Sequence, residues 1–119
     1  MKKYNAKIQT GSLNGGKWIR PEKRLAIYLR DEFHCVYCNV NLHAADPFQI
    51  TLDHVRARNN GGNNHESNLI TACRSCNSSR GDRKIAEWAD VATRKAIRRN
   101  TARKLGKYLK LAKAIIANN

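Results

Sequence analysis

Two closely spaced cysteine pairs constrain the fold of this chain more than any other feature of its sequence. The pairs are Cys35 with Cys38 and Cys73 with Cys76. Four thiolates in two such knuckles match the tetrahedral ligand set of structural Zn²⁺, and a closed set of four leaves no position for catalysis. Disulfides and unrelated buried cysteines are the alternatives, and the expected reducing compartment and the paired spacing disfavour them. The sequence therefore predicts one structural zinc ion.

The insert between the cysteine pairs, residues 39–72, is longer than the roughly 15 to 20 residues of common zinc ribbons. Its residues 48–53 alternate apolar and polar side chains, which predicts a strand that delivers Asp53 and His54 at its end. Residues 58–64 are rich in Gly and Asn and predict a loop, and residues 69–72 predict a second strand. The zinc would clamp both ends of this segment.

The charge of the chain indicates a polyanionic partner. The 119 residues include 23 Lys and Arg against 9 Asp and Glu, a formal net charge of +14. Such an excess favours nucleic acid first and anionic membrane second. No apolar run approaches the roughly 20 residues that span a bilayer. No secretion signal follows the basic N-terminus, so we expect a cytoplasmic protein with nucleic acid as its partner.

The chain is long enough for one domain with three parts. Residues 1–20 are expected to form a basic flexible arm, and a helix is predicted from Pro21 to near Asp31. A helix is predicted from Asn77 onward until Gly81, and Asp82 is the predicted N-cap of another helix through Trp88. Residues 91–119 predict one long basic helix, kinked near Gly106, that packs on or extends the same domain.

An ordered set of short motifs over about residues 33–84 resembles the HNH endonuclease family. The motifs are the two cysteine pairs, Leu52-Asp53-His54-Val55, Gly61-Gly62, Asn68-Leu69, Asn77 after the last cysteine, and Arg80-Gly81-Asp82. The resemblance implies an α+β fold, with a ββα-metal (His-Me finger) core clamped by the four-cysteine zinc site and flanked by helices. It makes residues 21–90 the nuclease domain. The implied function is metal-dependent hydrolysis of DNA phosphodiester bonds, leaving 5′-phosphate and 3′-hydroxyl ends.

The chemistry of phosphodiester hydrolysis agrees with this resemblance. His54 is the natural general base near neutral pH, and Asp53 is a hard oxygen ligand for Mg²⁺. The resemblance makes Asn77, in place of the usual His, the residue that completes the metal site, an HNN variant that suits Mg²⁺ or Mn²⁺. It also gives Asn68 a supporting role, fixing the loop that orients His54, and local capping before the strand is an alternative for this residue.

Other histidines and the arginines complete the predicted set. His65 is a rival base or ligand, whereas His34 and His43 are interpreted as structural. Arginines suited to phosphate flank the site or lie on the terminal helix, where no acidic residue follows Asp90; they are Arg56, Arg58, Arg80, Arg83, Arg98, Arg99 and Arg103.

No sequence-reading module is recognisable, so low to modest sequence specificity is expected. Nicking and double-strand cleavage, a homodimer, a phage packaging partner, a mobile element and a restriction system all stay open, with a preference for phage or mobile DNA. The alternative functions are a non-catalytic zinc-binding nucleic-acid-binding protein and an RNA-binding or ribosome-associated basic protein. Neither accounts for the Asp53 and His54 pair.

Overall fold

The structure is a computed structural model that describes residues 17–118. Most of the basic arm predicted for residues 1–20 therefore lies outside the described residues. The regular elements are α1 (Pro21–Arg30), β1 (Ile50–His54), β2 (Leu69–Cys73), α2 (Arg74–Arg80), α3 (Ile85–Trp88), α4 (Val91–Thr101) and α5 (Gly106–Ala117). None of the helices among these residues is both long enough and apolar enough to cross a membrane.

The two strands form an antiparallel hairpin that leads directly into α2. Ile50 pairs with Cys73 at one end of the ladder, and His54 pairs with Leu69 at the other. The predicted α+β fold with a ββα core is confirmed. The first strand begins two residues later than predicted, because Pro47 starts a 3₁₀ turn over Pro47–Gln49, and its fixed φ suits the first position of such a turn.

Helix α1 forms the centre of the core. It begins at Pro21, as predicted, and Asp31 caps its C-terminus. Every residue from 24 to 30 is buried, because β2 covers one side of the helix and α5 another. Arg30 donates from Nε and Nη2 to the Asp31 carboxylate at 2.9 and 3.1 Å, and Asp31 Oδ2 accepts from Thr71 N at 2.8 Å. This buried pair fastens α1 to β2.

The prediction of one long C-terminal helix is wrong, because two helices occupy this region, although the kink predicted near Gly106 falls where the second helix begins. Helix α4 ends at Thr101 and α5 begins at Gly106. Leu105, between the two helices, is buried, and the apolar face of α5 packs against the core that contains α1. A straight continuation of α4 would carry that face into solvent, so burial of apolar surface favours the break.

Two further sequence predictions of helix boundaries are also corrected. Asp82 does not cap a helix: α3 begins at Ile85 after Lys84, and Asp82 Oδ2 accepts from Asn59 Nδ2 at 3.0 Å. The helix expected from Asn77 onward starts at Arg74, because the Cys73 sulfur accepts from the Cys76 backbone N–H and caps it. The second cysteine pair therefore belongs to the start of α2.

Candidate active site

The four cysteine side chains meet in one cluster. Their Sγ atoms all lie within 4.8 Å of one another, and Cys38 Sγ is 3.9 Å from Cys73 Sγ. Zn–S bonds of about 2.3 Å in a tetrahedron require sulfur pairs about 3.8 Å apart. The predicted grouping of Cys35, Cys38, Cys73 and Cys76 is confirmed, and the donor set and spacing fit zinc.

Each knuckle is a turn in which a backbone N–H donates a hydrogen bond to a cysteine sulfur. Cys38 N donates to Cys35 Sγ at 3.5 Å, and Cys76 N donates to Cys73 Sγ at 3.3 Å. Burial raises the pKa of the Cys35 thiol to about 11, and burial likewise raises the pKa of Cys76. A metal ion must therefore displace protons from these thiols, which makes metal affinity fall in acid.

Asp53 lies at the interface between β1 and α2. Its side chain is buried, with the residue 7% exposed, and its Oδ2 accepts from Tyr37 Oη at 2.5 Å and from Arg80 Nη1 at 2.9 Å. Burial and the adjacent Asp53 carboxylate raise the pKa of Tyr37, so its hydroxyl stays protonated and donates. Both contacts fall on Oδ2, and Oδ1 is the atom left for a metal ion.

Arg80 is buried, with 1% exposure. Its guanidinium donates to Asp53, to the backbone oxygens of His54 and Val55 at 2.5 and 2.7 Å, and to Arg83 O at 2.8 Å. The expected phosphate contact of Arg80 does not fit this arrangement, because its donors are already engaged by protein oxygens. The side chain instead fixes the end of β1 against α2.

Asn77 projects from α2 toward the same strand. Its Nδ2 donates to Thr51 Oγ1 at 2.9 Å and to Leu52 O at 3.3 Å. These bonds fix which end of the amide faces β1, and they leave the amide oxygen as the available ligand atom. Asp53 and Asn77 thus offer oxygen donors from β1 and α2, a donor type that suits Mg²⁺ or Mn²⁺.

His54 belongs to a different environment from Asp53. Successive side chains of a strand point to opposite faces, and no hydrogen bond among the described residues joins His54 to Asp53 or Asn77. The imidazole Nε2 lies 2.8 Å from Asn64 Oδ1, and the ring packs 5.1 Å from the Trp18 ring. Because an amide oxygen only accepts, Nε2 carries the proton and Nδ1 of the neutral ring is left with a lone pair.

The loop after β1 is fastened by Asn68 and shaped by a glycine pair. Asn68 Oδ1 accepts from Arg56 N at 2.8 Å, and its Nδ2 donates to Arg56 O and Asn63 O. A Cβ on Gly62 would lie 1.7 Å from Arg56 O, and Gly61 has a φ of +88°. Any side chain at position 62 would push this loop away from β1.

The remaining histidines serve local structure. His65 caps the 3₁₀ turn Glu66–Asn68, where its Nδ1 accepts from Ser67 N at 3.1 Å and lies 2.8 Å from Ser67 Oγ. This contact argues against its rival role as a base. His34 Nδ1 lies 2.7 Å from Glu32 O, and His43 packs edge-on against Phe33.

The arginines predicted to contact nucleic acid, apart from Arg80, are exposed. Some of them also make local contacts. Arg56 donates to Asn60 O and Arg58 to Asn64 Oδ1, Arg83 donates to Ser79 O, and Arg103 donates to Arg30 O at 3.0 Å. Arg98 and Arg99 lie on the solvent side of α4, so these side chains flank different parts of the molecule rather than one site.

Sequence reasoning missed three residues of the site: Tyr37, Asn64 and Trp18. Tyr37 stands inside the first cysteine knuckle, where a buried phenol signals a hydrogen-bonding partner. Asn64 was included only as part of a loop. Trp18 lies within the predicted flexible arm, and only its contact with His54 in the folded chain reveals its place.

Comparison with protein-family models matches residues 35–83 to the model described as HNH endonuclease. The matched segment runs from the first zinc knuckle through the hairpin to the end of α2 and the turn that follows it. Comparisons with curated proteins and with solved structures give no match.

Proposed function

Since residues 35–83 belong to the HNH endonuclease family, we propose that this chain is a metal-dependent nuclease that hydrolyses phosphodiester bonds of DNA. The observation that supports the proposal is the geometry of His54 and Asp53 at the end of β1 and of Asn77 in α2, which follows the hairpin directly. In the tautomer that donates from Nε2 to Asn64, His54 has a lone pair on Nδ1, and Asp53 and Asn77 each have an oxygen atom left for a metal ion. A protein that only binds nucleic acid has no use for this combination.

His54 is the general base in this proposal. Its Nδ1 accepts the proton of the attacking water, while the hydrogen bond from Nε2 to Asn64 Oδ1 holds the tautomer that makes this possible. Arg58 Nη1 also contacts Asn64 Oδ1 at 3.3 Å, and Lys23 Nζ donates to Asn64 O at 2.9 Å. Asn64, which accepts the hydrogen bond of His54, is therefore itself held in place by Arg58 and Lys23.

Asp53 and Asn77 are the proposed ligands of a catalytic Mg²⁺ or Mn²⁺. When bound, the ion supplies a Lewis acid for the charge that develops on the phosphoryl and leaving oxygens. Tyr37 and Arg80 orient the Asp53 carboxylate through Oδ2. The exposed cations of the loop and of α4 and α5 favour a polyanionic substrate, with most contacts to phosphates and hence modest sequence specificity.

The proposal is tested by incubating zinc-loaded protein with supercoiled plasmid, with and without Mg²⁺. His54→Ala should lower the cleavage rate by roughly 10² to 10⁴, the usual contribution of acid–base catalysis, because no other described group replaces the base. His65→Ala, which alters an exposed histidine before the second strand, is the matched control and should cleave like the wild type. Plasmid cleavage by His54→Ala at the wild-type rate would refute the assignment.

Binding separates the nuclease from a non-catalytic binding protein. His54→Ala should keep its zinc content and its affinity for DNA, because the imidazole lies beside the loop and makes no contact with the cysteine cluster among the described residues. If neither the wild type nor any variant cleaves, while salt-sensitive DNA binding persists, the chain is a binding protein.

A further inference from the structure

A cavity of about 460 Å³ opens beside the end of β1. One wall is the loop that follows His54, with Val55, Arg56 and Ala57, and the opposite wall is the turn into α3, with Lys84 and Ile85. Its volume falls in the range of about 300 to 1,000 Å³ that is usual for ligand pockets. None of the residues described above as metal ligands or as the general base lines this cavity.

Hydrogen bonds connect the two walls of the cavity and fix the distance between them. Arg80 forms part of the lining and donates to Val55 O on one wall and to Arg83 O on the other. Asn59 Nδ2 donates to Asp82 Oδ2 at 3.0 Å and joins the two loops at a second point. An opening braced in this way is formed before any ligand enters, which lowers the entropic cost of binding.

The charge of the lining selects an anion. Arg56 and Lys84 are both exposed, and no acidic residue lines the cavity in the described part of the chain. Arg56 Nε is bonded to Asn60 O at 2.7 Å, which fixes the guanidinium. Its terminal nitrogens make no hydrogen bond with the described residues, so they remain donors for a phosphate.

The rest of the lining selects something larger than a phosphate ion. Val55, Ala57 and Ile85 present half-buried apolar surface, and a phosphate ion alone has no group that would cover it. A nucleotide combines an anionic phosphate with a flat base and a sugar that bury apolar surface. A nucleotide paired and stacked in a duplex cannot enter a concave site, whereas an unpaired one can.

We propose that this cavity binds one unpaired nucleotide of the DNA strand that is cut, with its phosphate between Arg56 and Lys84. This inference rests on the proposed function and narrows its substrate class. Arg80 lines the cavity and also donates to Asp53 Oδ2, a proposed metal ligand. The occupant therefore lies beside the proposed metal site. DNA with an unpaired nucleotide, such as a single-nucleotide bulge, is the favoured substrate over fully paired DNA.

The test measures binding in the His54→Ala background, so that DNA stays intact. Fluorescence anisotropy compares a duplex that carries one bulged nucleotide with a fully paired duplex of the same sequence, using zinc-loaded protein without added Mg²⁺. The bulged duplex should bind about tenfold more tightly, equal to about 1.4 kcal/mol. Ile85→Trp, which fills the cavity and keeps both cations, should abolish this difference. Val91→Trp adds the same side chain to an exposed position outside the cavity and should preserve it.

Ile85 also packs against the buried side chains of Val36, Ile70 and Ile97. Ala57→Leu therefore fills the cavity from the opposite wall as an independent variant. Lys84→Ala should weaken bulge binding and lower the slope of log affinity against log salt by about one. Inorganic phosphate at matched ionic strength should compete for Arg56 and Lys84 and weaken binding of the bulged duplex, and an absence of competition would contradict this placement of the phosphate.

Equal binding of the two duplexes by the His54→Ala protein, or a preference that survives both filled variants, would overturn the inference. Plasmid cleavage by the wild type is scored separately. If the wild type cleaves plasmid but shows no preference for the bulged duplex, only the cavity proposal is refuted. If it prefers the bulged duplex but does not cleave plasmid, only the nuclease proposal is refuted.

Discussion

The ββα unit of β1, β2 and α2 and the helical pair of α1 and α5 are held together by opposite kinds of contact. Between β1 and α2 the joining side chains are polar, and Asp53, Asn77 and Arg80 each make directional hydrogen bonds. Between α1 and α5 the joining side chains are apolar and belong to one cluster. Polar networks allow few arrangements, whereas apolar packing tolerates many sequences of similar volume. The difference indicates that directional contacts are concentrated around the candidate metal ligands.

Loss of metal from the four-cysteine cluster should have the largest effect on folding, because this cluster joins both ends of the hairpin. Removal of the metal by a chelator should unfold the hairpin, since a structural zinc ion contributes on the order of 10 kcal/mol to folding. Metal analysis with circular dichroism before and after chelation measures this effect. Cys38→Ser should behave like the chelated protein, and Ser75→Ala, in the second knuckle, should retain zinc. A hairpin that stays folded without metal would contradict the prediction.

Arg80 offers the sharpest test of the polar side of the comparison. Arg80→Leu should lower the free energy of unfolding by about 3 to 5 kcal/mol, because it leaves the buried Asp53 carboxylate without its cation. Arg83→Leu, three residues after Arg80 at an exposed position, is the matched control. It should change the free energy of unfolding by less than about 1 kcal/mol. Urea unfolding of the zinc-loaded proteins measures both values. Unchanged stability together with weakened DNA binding in Arg80→Leu would restore the phosphate contact that the sequence suggested.

Ala112 tests the apolar packing between α1 and α5, and its substitution should have the smallest effect on the free energy of unfolding. Ala112 is fully buried in α5, and Ala112→Leu should lower the free energy of unfolding by about 1 to 3 kcal/mol through overpacking against the core that contains α1. Zinc content and plasmid cleavage at room temperature should stay unchanged. Ala114→Leu places the same side chain on the exposed face of α5 and serves as the control. Loss of cleavage in Ala112→Leu would show that the two regions are coupled.

The sequence predicts the ββα unit better than the helices around it. Cysteine spacing, the alternation before Asp53 and the Gly61-Gly62 pair are local signals, and the hairpin follows from them. Gly106 signals a kink between α4 and α5, but no local signal sets the direction of α5, because only the surface of α1 decides that α5 must fold back. Arg80 was assigned to phosphate for the same reason: its burial depends on contacts with β1 that are distant in the chain.

The candidate site divides in the same way. The sequence predicts His54, Asp53 and Asn77 from the chemistry of their side chains and their motif. The roles of Tyr37, Asn64 and Trp18 depend on their positions in the folded chain. An asparagine in a polar loop looks like any other until its oxygen is found 2.8 Å from a histidine nitrogen. Residues that orient a reacting group are therefore harder to predict than the reacting group.

The opposite orientation of Asp53 and His54 on β1 restricts how the length of this chain can vary. An insertion or deletion of one residue within Ile50–His54 shifts the strand by one position, which exchanges its two faces and turns the carboxylate away from α2. An extra residue in segment 44–48, which precedes β1 and is largely exposed, leaves the order of faces intact. Length variation among functional versions of this chain is therefore expected before the strand and excluded within it.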